Sequence, residues 1–307
     1  MNSSRGKILV IRGGAIGDFI LTLPAIAALR NQFPQAHLEV LGYPHIAQLA
    51  QAGGVVDRVQ SIEARALAGF FARNGVLDPS LVEYFAAFHL VVSYLFDPDE
   101  VFKTNVARCT KAQFIAGPHR PKESENIHAT KVYLKPLERL AIFDADHRPH
   151  LSIGPRSLNA TPRLAIHPGS GSEKKNWPEK NWAELLQRLR HTTQLNLLLV
   201  GGEAEGDRLN RLAAVLPPER IQLVQSRPLA ELAAELKLCA AFIGHDSGIS
   251  HLAAAVGLPG LILWGDTIEA IWRPPHQAVS ILKHPGGLNK IGVEQVMREL
   301  EQVPGKV

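Results

Sequence analysis

Three short segments hold the residue types that could grip a phosphorylated ligand and move a proton. Each lies where an apolar run gives way to an amphipathic one. Residues 12–26 read RGGAIGDFILTLPAI. Gly13 and Gly14 let a ligand or another chain segment approach the backbone closely. Asp18 falls at the start of a helix, where backbone donors and the helix dipole favour its charge. It reads either as a helix cap or as a cleft-facing carboxylate acting as general base. A dinucleotide fingerprint would need glycines at 12, 14 and 17. Arg12 fills the first of these and no clear acid ends the second strand, so a dinucleotide site is disfavoured.

Residues 167–182 read HPGSGSEKKNWPEKNW. Gly169, Ser170, Gly171 and Ser172 offer backbone donors, and Lys174 and Lys175 offer positive charge, which suits a diphosphate. The spacing is not that of a Walker P-loop, and an ordinary loop is the plainer alternative. Trp177, Pro178 and Trp182 are expected to pack this loop rather than touch ligand. Residues 244–265 read GHDSGISHLAAAVGLPGLILWG. Asp246, Ser247 and Gly248 sit where a strand ends and a helix begins, so their backbone donors either hold a second phosphate oxygen or cap that helix. His251 follows Ser247 by four residues and shares its face. A hydrolytic triad of Ser247, His251 and Asp246 lacks the nucleophile elbow it would need.

The elements that must position these groups alternate along the chain. Strands are expected at 7–11, 37–41, 90–93 and 113–116, and then at 163–166, 195–200, 241–243 and 261–264. Helices are expected at 18–31, 81–87 and 129–142, and then at 181–191, 208–215, 229–236, 247–256 and 293–302. Pro24 should kink the first helix. Residues 144–162 carry Pro149, Gly154, Pro155 and Pro162 and form the expected linker. The domains then run 1–155, on the acceptor side, and 156–307, on the donor side, with the closing helix a candidate to pack back on the first. Such alternation implies parallel sheets covered on both faces, with ligands beyond the carboxyl ends of the strands and a cleft between the two domains.

Composition narrows the function. A chain of 307 residues suggests two domains at roughly 150 residues each. Its 33 basic and 29 acidic residues leave a net charge of +4, so nucleic acid is not implied. Basic charge concentrates between 103 and 139, with eight Lys or Arg, including Arg120 and Lys122, against three acids. That stretch is either a solvated surface or a patch for an acidic acceptor or an anionic membrane surface. Cys109 and Cys239 have no zinc or redox-motif spacing and read as two buried thiols in a reducing compartment. The loops offer no acid cluster of the magnesium-binding kind, so no metal and no cofactor is expected. The N-terminus lacks a signal-peptide pattern and no apolar run reaches the ~20 residues of a bilayer span, so a cytoplasmic protein is expected.

Together, GDFILTLPAI, HPGSGSEKKNWP and DSGISHLAAAVGLP resemble, in order and spacing, the ADP-heptose lipopolysaccharide heptosyltransferase family. The resemblance covers almost the whole chain. It implies a GT-B architecture of two Rossmann-like domains facing across a cleft, and an inverting, metal-independent transfer from an ADP-sugar to a glycolipid or lipopolysaccharide-core acceptor. By motif, Asp18 matches the family's proposed base and Lys175 the lysine that contacts donor phosphate. Asp246, Ser247, Gly248 and His251 match the donor-site segment, and Ser170 and Gly171 a position often bearing hydroxyls. An acid after Gly201–Gly202 would bind ribose, with Glu203 and Glu205 both open. Gly13, Gly14, Arg120 and Lys122 fall on the acceptor side. The segment after Trp264–Gly265 reads Asp266–Thr267–Ile268–Glu269 where the family commonly has Pro-Thr-Asp-Pro. Peripheral contact with the inner membrane surface is the expectation if the basic stretch from 103 to 139 meets anionic lipid. A sugar-nucleotide epimerase or hydrolase on the same fold, or a non-catalytic nucleotide-sugar binder, are the alternatives.

Overall fold

The computed structural model describes residues 6–154 and 162–304. The chain forms two compact units, Met1–His147 and Arg148–Val307. The division falls inside the expected linker. The anticipated 155/156 boundary, and with it most of the linker's second half, lies outside the described residues.

The first unit runs β1 (Lys7–Arg12), α1 (Ile16–Gln32), β2 (His37–Gly42), α2 (Pro44–Ala52), β3 (Arg58–Ser61), α3 (Pro79–Ala86), β4 (Leu90–Ser93), α4 (Val101–Ala107), β5 (Gln113–Ala116) and α5 (Ala129–Leu134). The strands pair in parallel in the order β3-β2-β1-β4-β5. Apolar residues fill the centre, among them Leu9, Ile11, Phe70, Phe85 and Phe102. The helix starting at 16 runs unbroken through the buried Pro24. The helix expected at 129–142 stops at Leu134 and continues as a 3-10 turn, Lys135–Leu140. Pro136 explains the change, because it has no N–H to donate and its ring crowds the preceding turn.

The second unit runs β6 (Arg163–Ile166), α6 (Glu179–Thr192), β7 (Asn196–Gly201), α7 (Arg208–Ala213), β8 (Ile221–Gln225), α8 (Leu229–Lys237), β9 (Ala241–His245), α9 (Gly248–Ala255), β10 (Gly260–Trp264), α10 (Glu269–Trp272), β11 (Val279–Lys283) and α11 (Val293–Glu301). Its parallel sheet has the order β11-β10-β9-β6-β7-β8. This is the doubly wound Rossmann order, in which the chain reverses direction across the sheet between the first and fourth strands. The closing helix belongs to this unit's own core. It buries Val293, Val296 and Leu300 with Trp177, Trp182 and Leu185.

The topology decides where chemistry can occur. In each unit the switch point opens beside the unit's first strand, between β1 and β4 and between β6 and β9. All three sequence motifs leave the carboxyl ends of those strands. The two cysteines are free and only half-buried. Their thiols nevertheless lie high, with burial pushing Cys239 up to about 11. Among the described residues, no helix is long and apolar enough to cross a membrane.

Candidate active site

In the first unit, β1 ends at Arg12, which is 3% exposed. Its guanidinium donates to the carbonyls of His119 at 2.8 Å, Asp18 at 3.3 Å and Tyr94 at 3.4 Å, and to the Tyr133 hydroxyl at 3.0 Å. It also lies over the Tyr133 ring, 4.6 Å from the centroid. Gly14 turns the chain with φ +96°, and a Cβ there would press on Asp18 at 3.1 Å. Asp18 then takes two roles at once. Its Oδ2 accepts the Ala15 N–H at 3.1 Å, which caps α1, while Oδ1 stands 3.7 Å from Arg12 and the side chain stays about a third exposed (31%). The cap and base readings are thus compatible, since Oδ2 serves the helix while Oδ1 faces Arg12 on a side chain that stays partly exposed. Arg12 was legible only as a failed glycine position. Nothing in the motif showed that it ties Asp18, His119 and Tyr133 together.

In the second unit, the loop after β6 is held by His245, the last residue of β9. The His245 Nε2 accepts the Trp177 N–H at 2.8 Å, and its Nδ1 is 3.2 Å from the Gly169 carbonyl. An amide can only donate, so Nε2 is unprotonated and Nδ1 carries the hydrogen. Burial pushes this imidazole down to about 4, so it is neutral at ordinary pH. Within the loop, the Ser170 hydroxyl lies 2.8 Å from the Ser172 carbonyl and 2.9 Å from Asn176 Oδ1. Ser170 is therefore buried and braces the loop. Gly171 is exposed, with open space around it. The expectation for the tryptophans holds: Trp177 and Trp182 are buried edge-to-face at 5.2 Å, and the Trp177 Nε1 donates to Ile291 O at 2.9 Å.

Lys175 projects from this loop and donates to Asp246 Oδ2 at 2.7 Å, pairing a half-exposed lysine with an almost covered carboxylate. Beside it, Ser247 caps α9. Its Oγ accepts the Ser250 N–H and lies 3.2 Å from His167 Nδ1. Burial first, then His245, pushes His167 down to about 3. It is therefore neutral, and its 3.6 Å approach to Glu205 is no ion pair. Glu205 is buried and accepts the Gly202 N–H through Oε2 at 2.6 Å. A Cβ on Gly169 would fall 1.9 Å from Glu205 Oε1, so Gly169 is a glycine because the carboxylate lies against it. Glu203 is exposed. Of the two open acids, Glu205 is the one that joins the cradle, and the three-residue return from Glu205 to Gly202 is the local reason.

The structure thus brings Lys175, Glu205, Asp246, Ser247 and Gly248 to the carboxyl ends of β6, β7 and β9, together with His167 and His245. His251 is buried on α9, lining a small void with Pro149, Pro274 and His276. Arg120 and Lys122 line a separate cavity of about 1100 Å³ in the first unit, with Ile127, Lys135, Arg139 and Phe143 also on its wall. Much of the basic stretch is charge-compensated at short range. Lys103, Arg120, Lys122 and Lys135 pair with Glu100, Glu123, Glu125 and Glu138. Among the described residues, no three His, Cys, Asp or Glu side chains group as a metal ion would require.

The model of glycosyltransferase family 9 (heptosyltransferase) matches residues 129–297. A lipopolysaccharide heptosyltransferase 1 of Pseudomonas aeruginosa is 37% identical over 106 residues, which is 34% of this chain and 29% of that protein. A family 9 glycosyl transferase from Veillonella parvula superposes with TM-score 0.79 at 18% identity, covering 99% of this chain and 98% of the other. An Escherichia coli heptosyltransferase solved with ADP-2-deoxy-2-fluoro heptose gives TM-score 0.76 at 18% identity, covering 96% and 99%. At that identity the two structures establish the shared fold, that of the GT-B heptosyltransferases.

Proposed function

Because this chain belongs to glycosyltransferase family 9, the heptosyltransferase family, we propose that it moves a heptose from ADP-heptose onto a lipopolysaccharide-core acceptor, with inversion and without a metal. The observation that carries this reading is the cradle at the β6–β9 switch point. A lysine, a helix N-terminus and a glycine-rich loop converge there with one buried acid. The relative bearing an ADP-heptose analogue supports the choice of donor.

In this reading the diphosphate lies at Lys175, the loop amides and the first turn of α9. Lys175 has three N–H donors, of which one is engaged by Asp246, leaving two for phosphate oxygens. Asp246 fixes the ammonium in place before the donor arrives. Glu205, facing the same cradle, accepts from the ribose hydroxyls. Asp18 serves as base. An acceptor hydroxyl gives its proton to Asp18 Oδ1, the oxygen not capping α1, while its own oxygen bonds to the anomeric carbon. The bond from that carbon to the phosphate oxygen breaks on the opposite side, and ADP leaves with the electron pair. Lys175 and the aimed amides stabilise the charge growing on the departing phosphate, which is where preorganised donors have most effect. Arg12 keeps Asp18 oriented through the α1 backbone. The cavity lined by Arg120 and Lys122 takes part of an acidic acceptor.

The test is incubation of purified protein with ADP-heptose, with and without a lipopolysaccharide-core acceptor, in chelator. Transfer requiring both substrates supports the proposal. Turnover of donor alone would mark an epimerase or hydrolase, and binding without turnover a nucleotide-sugar binder. Loss of transfer in chelator with rescue by magnesium would refute the metal-free reading.

A further inference from the structure

His245 is the one residue whose side chain bridges both ends of the lysine-bearing loop among the described hydrogen bonds. We infer that it is a positioning residue, holding the loop from Gly169 to Trp177 so that Lys175 stands ready for the donor's diphosphate. The inference rests on the proposed function for its ligand, and on geometry for the rest.

Three features separate this role from ordinary core packing. First, the ring is 0% exposed and lies between its two loop partners and Trp182, edge-to-face at 5.3 Å. It has no room to swing away. Second, its two bonds run to the backbone and have opposite polarity: it accepts from Trp177 and donates to Gly169. Only a neutral imidazole offers both on one rigid ring, because a lysine or arginine cannot accept and an aliphatic side chain does neither. Third, the Trp177 ring is already fixed by its Nε1 bond to Ile291 and by the core around it. What His245 adds is therefore control of the loop backbone, not of the ring. Between the two anchored ends, the Lys175 N–H closes a tight turn on the Ser172 carbonyl at 2.9 Å and the Ser170 hydroxyl braces the interior. This turn aims the lysine at Asp246, the next residue after His245 in the chain. One strand end thus supplies both the clamp for the loop and the counter-ion for its lysine.

The test compares full-length wild type with H245L, H245Q and H245N, each alone and with K175A. ADP affinity is read by calorimetry, and loop order by amide hydrogen exchange at Ser170–Trp177. Gln can place an acceptor near the Nε2 position and Asn only near Nδ1. H245L is expected to weaken ADP binding about tenfold, the usual scale for a buried hydrogen bond whose partner is left unsatisfied, and to speed loop exchange. H245Q should recover most of both, and H245N less. With Lys175 already replaced by Ala, H245L should cost no further affinity, because the effect passes through the lysine. Independent, multiplying losses would overturn the inference, as would an H245L protein with a lowered melting temperature but unchanged ADP affinity. If H245L does not fold, the folded Gln and Asn variants decide: the order Gln above Asn supports the role and equality refutes it. If wild type itself does not bind ADP, the functional proposal fails, and the Trp177 amide protection of Gln against Asn still decides whether His245 orders the loop.

Discussion

Acidification between about pH 6.5 and pH 4 should destabilise the second unit more steeply than its surface charges would. His167 and His245 are 4% and 0% exposed, and burial pushes them down to about 3 and about 4. In an unfolded chain each would bind a proton below ~6.5. Within that window the unfolded state therefore holds more protons, so stability rises with pH and is lost as pH falls. Above ~6.5 the full stability is present. At ~1.4 kcal/mol per pH unit for each group, the pair removes roughly 4 kcal/mol by pH 5, a large part of the ~5–15 kcal/mol of a typical domain. His276, lowered mainly by burial, acts in the same direction. Glu173 and Glu179, lowered chiefly by hydrogen bonds from Arg208 and Arg211, lose their contribution only as pH drops below ~4.5, outside most of this window. The assay is urea unfolding followed by tryptophan fluorescence at a series of pH values. Trp177, Trp182, Trp264 and Trp272 all lie in the second unit, so the signal reports that unit alone. A midpoint that stays flat from neutral pH to about pH 5 would refute the reasoning, as would an undiminished slope in the H167Q/H245Q double variant.

Three further outcomes follow from single contacts. Gly169→Ala should drive the Glu205 carboxylate off the Gly202 N–H, lowering stability by ~1–3 kcal/mol and weakening ADP binding, both measurable on one sample by thermal shift and calorimetry. Arg12→Lys should cost the first unit ~2 kcal/mol or more, because an ammonium cannot reach four acceptors arranged for a guanidinium; transfer should fall while ADP affinity holds. Arg120→Glu with Lys122→Glu should raise the acceptor KM and flatten its salt dependence without changing the donor KM, as read from initial rates at varied ionic strength.

The legible parts of the fold were its buried ones. Central strands such as β1, β4, β6, β9 and β10 are apolar runs with sharp ends, and they fall close to where periodicity puts them. β3, β8 and β11, absent from the sequence reading, are all sheet edges. An edge strand pairs on one side and is half-wetted, so RVQS, IQLVQ and VSILK carry too few buried residues to stand out. α2 and α4, nine and seven residues long, were missed as well. At the site, Asp18, Lys175 and Ser247 were visible because helix starts and glycine-rich turns have a local signature. Arg12, His167 and His245 were not, because their partners lie far along the chain: Tyr133, Ser247 and Trp177 come together only through the strand order. The choice between Glu203 and Glu205 was open in the sequence; in the structure Glu205 is the buried one and returns to the Gly202 N–H, while Glu203 is exposed.

The most direct measurement is the single-turnover rate of Asp18→Asn with ADP-heptose and a lipopolysaccharide-core acceptor, alongside its donor affinity and melting temperature. Asparagine keeps an oxygen that can accept the Ala15 N–H, so the α1 cap survives the change. A base accounts for ~10²–10⁴ in rate, and the account predicts a fall of that size with donor affinity and melting temperature held. A folded Asp18→Asn protein that transfers heptose at near the parent rate would contradict it and leave Asp18 a cap alone.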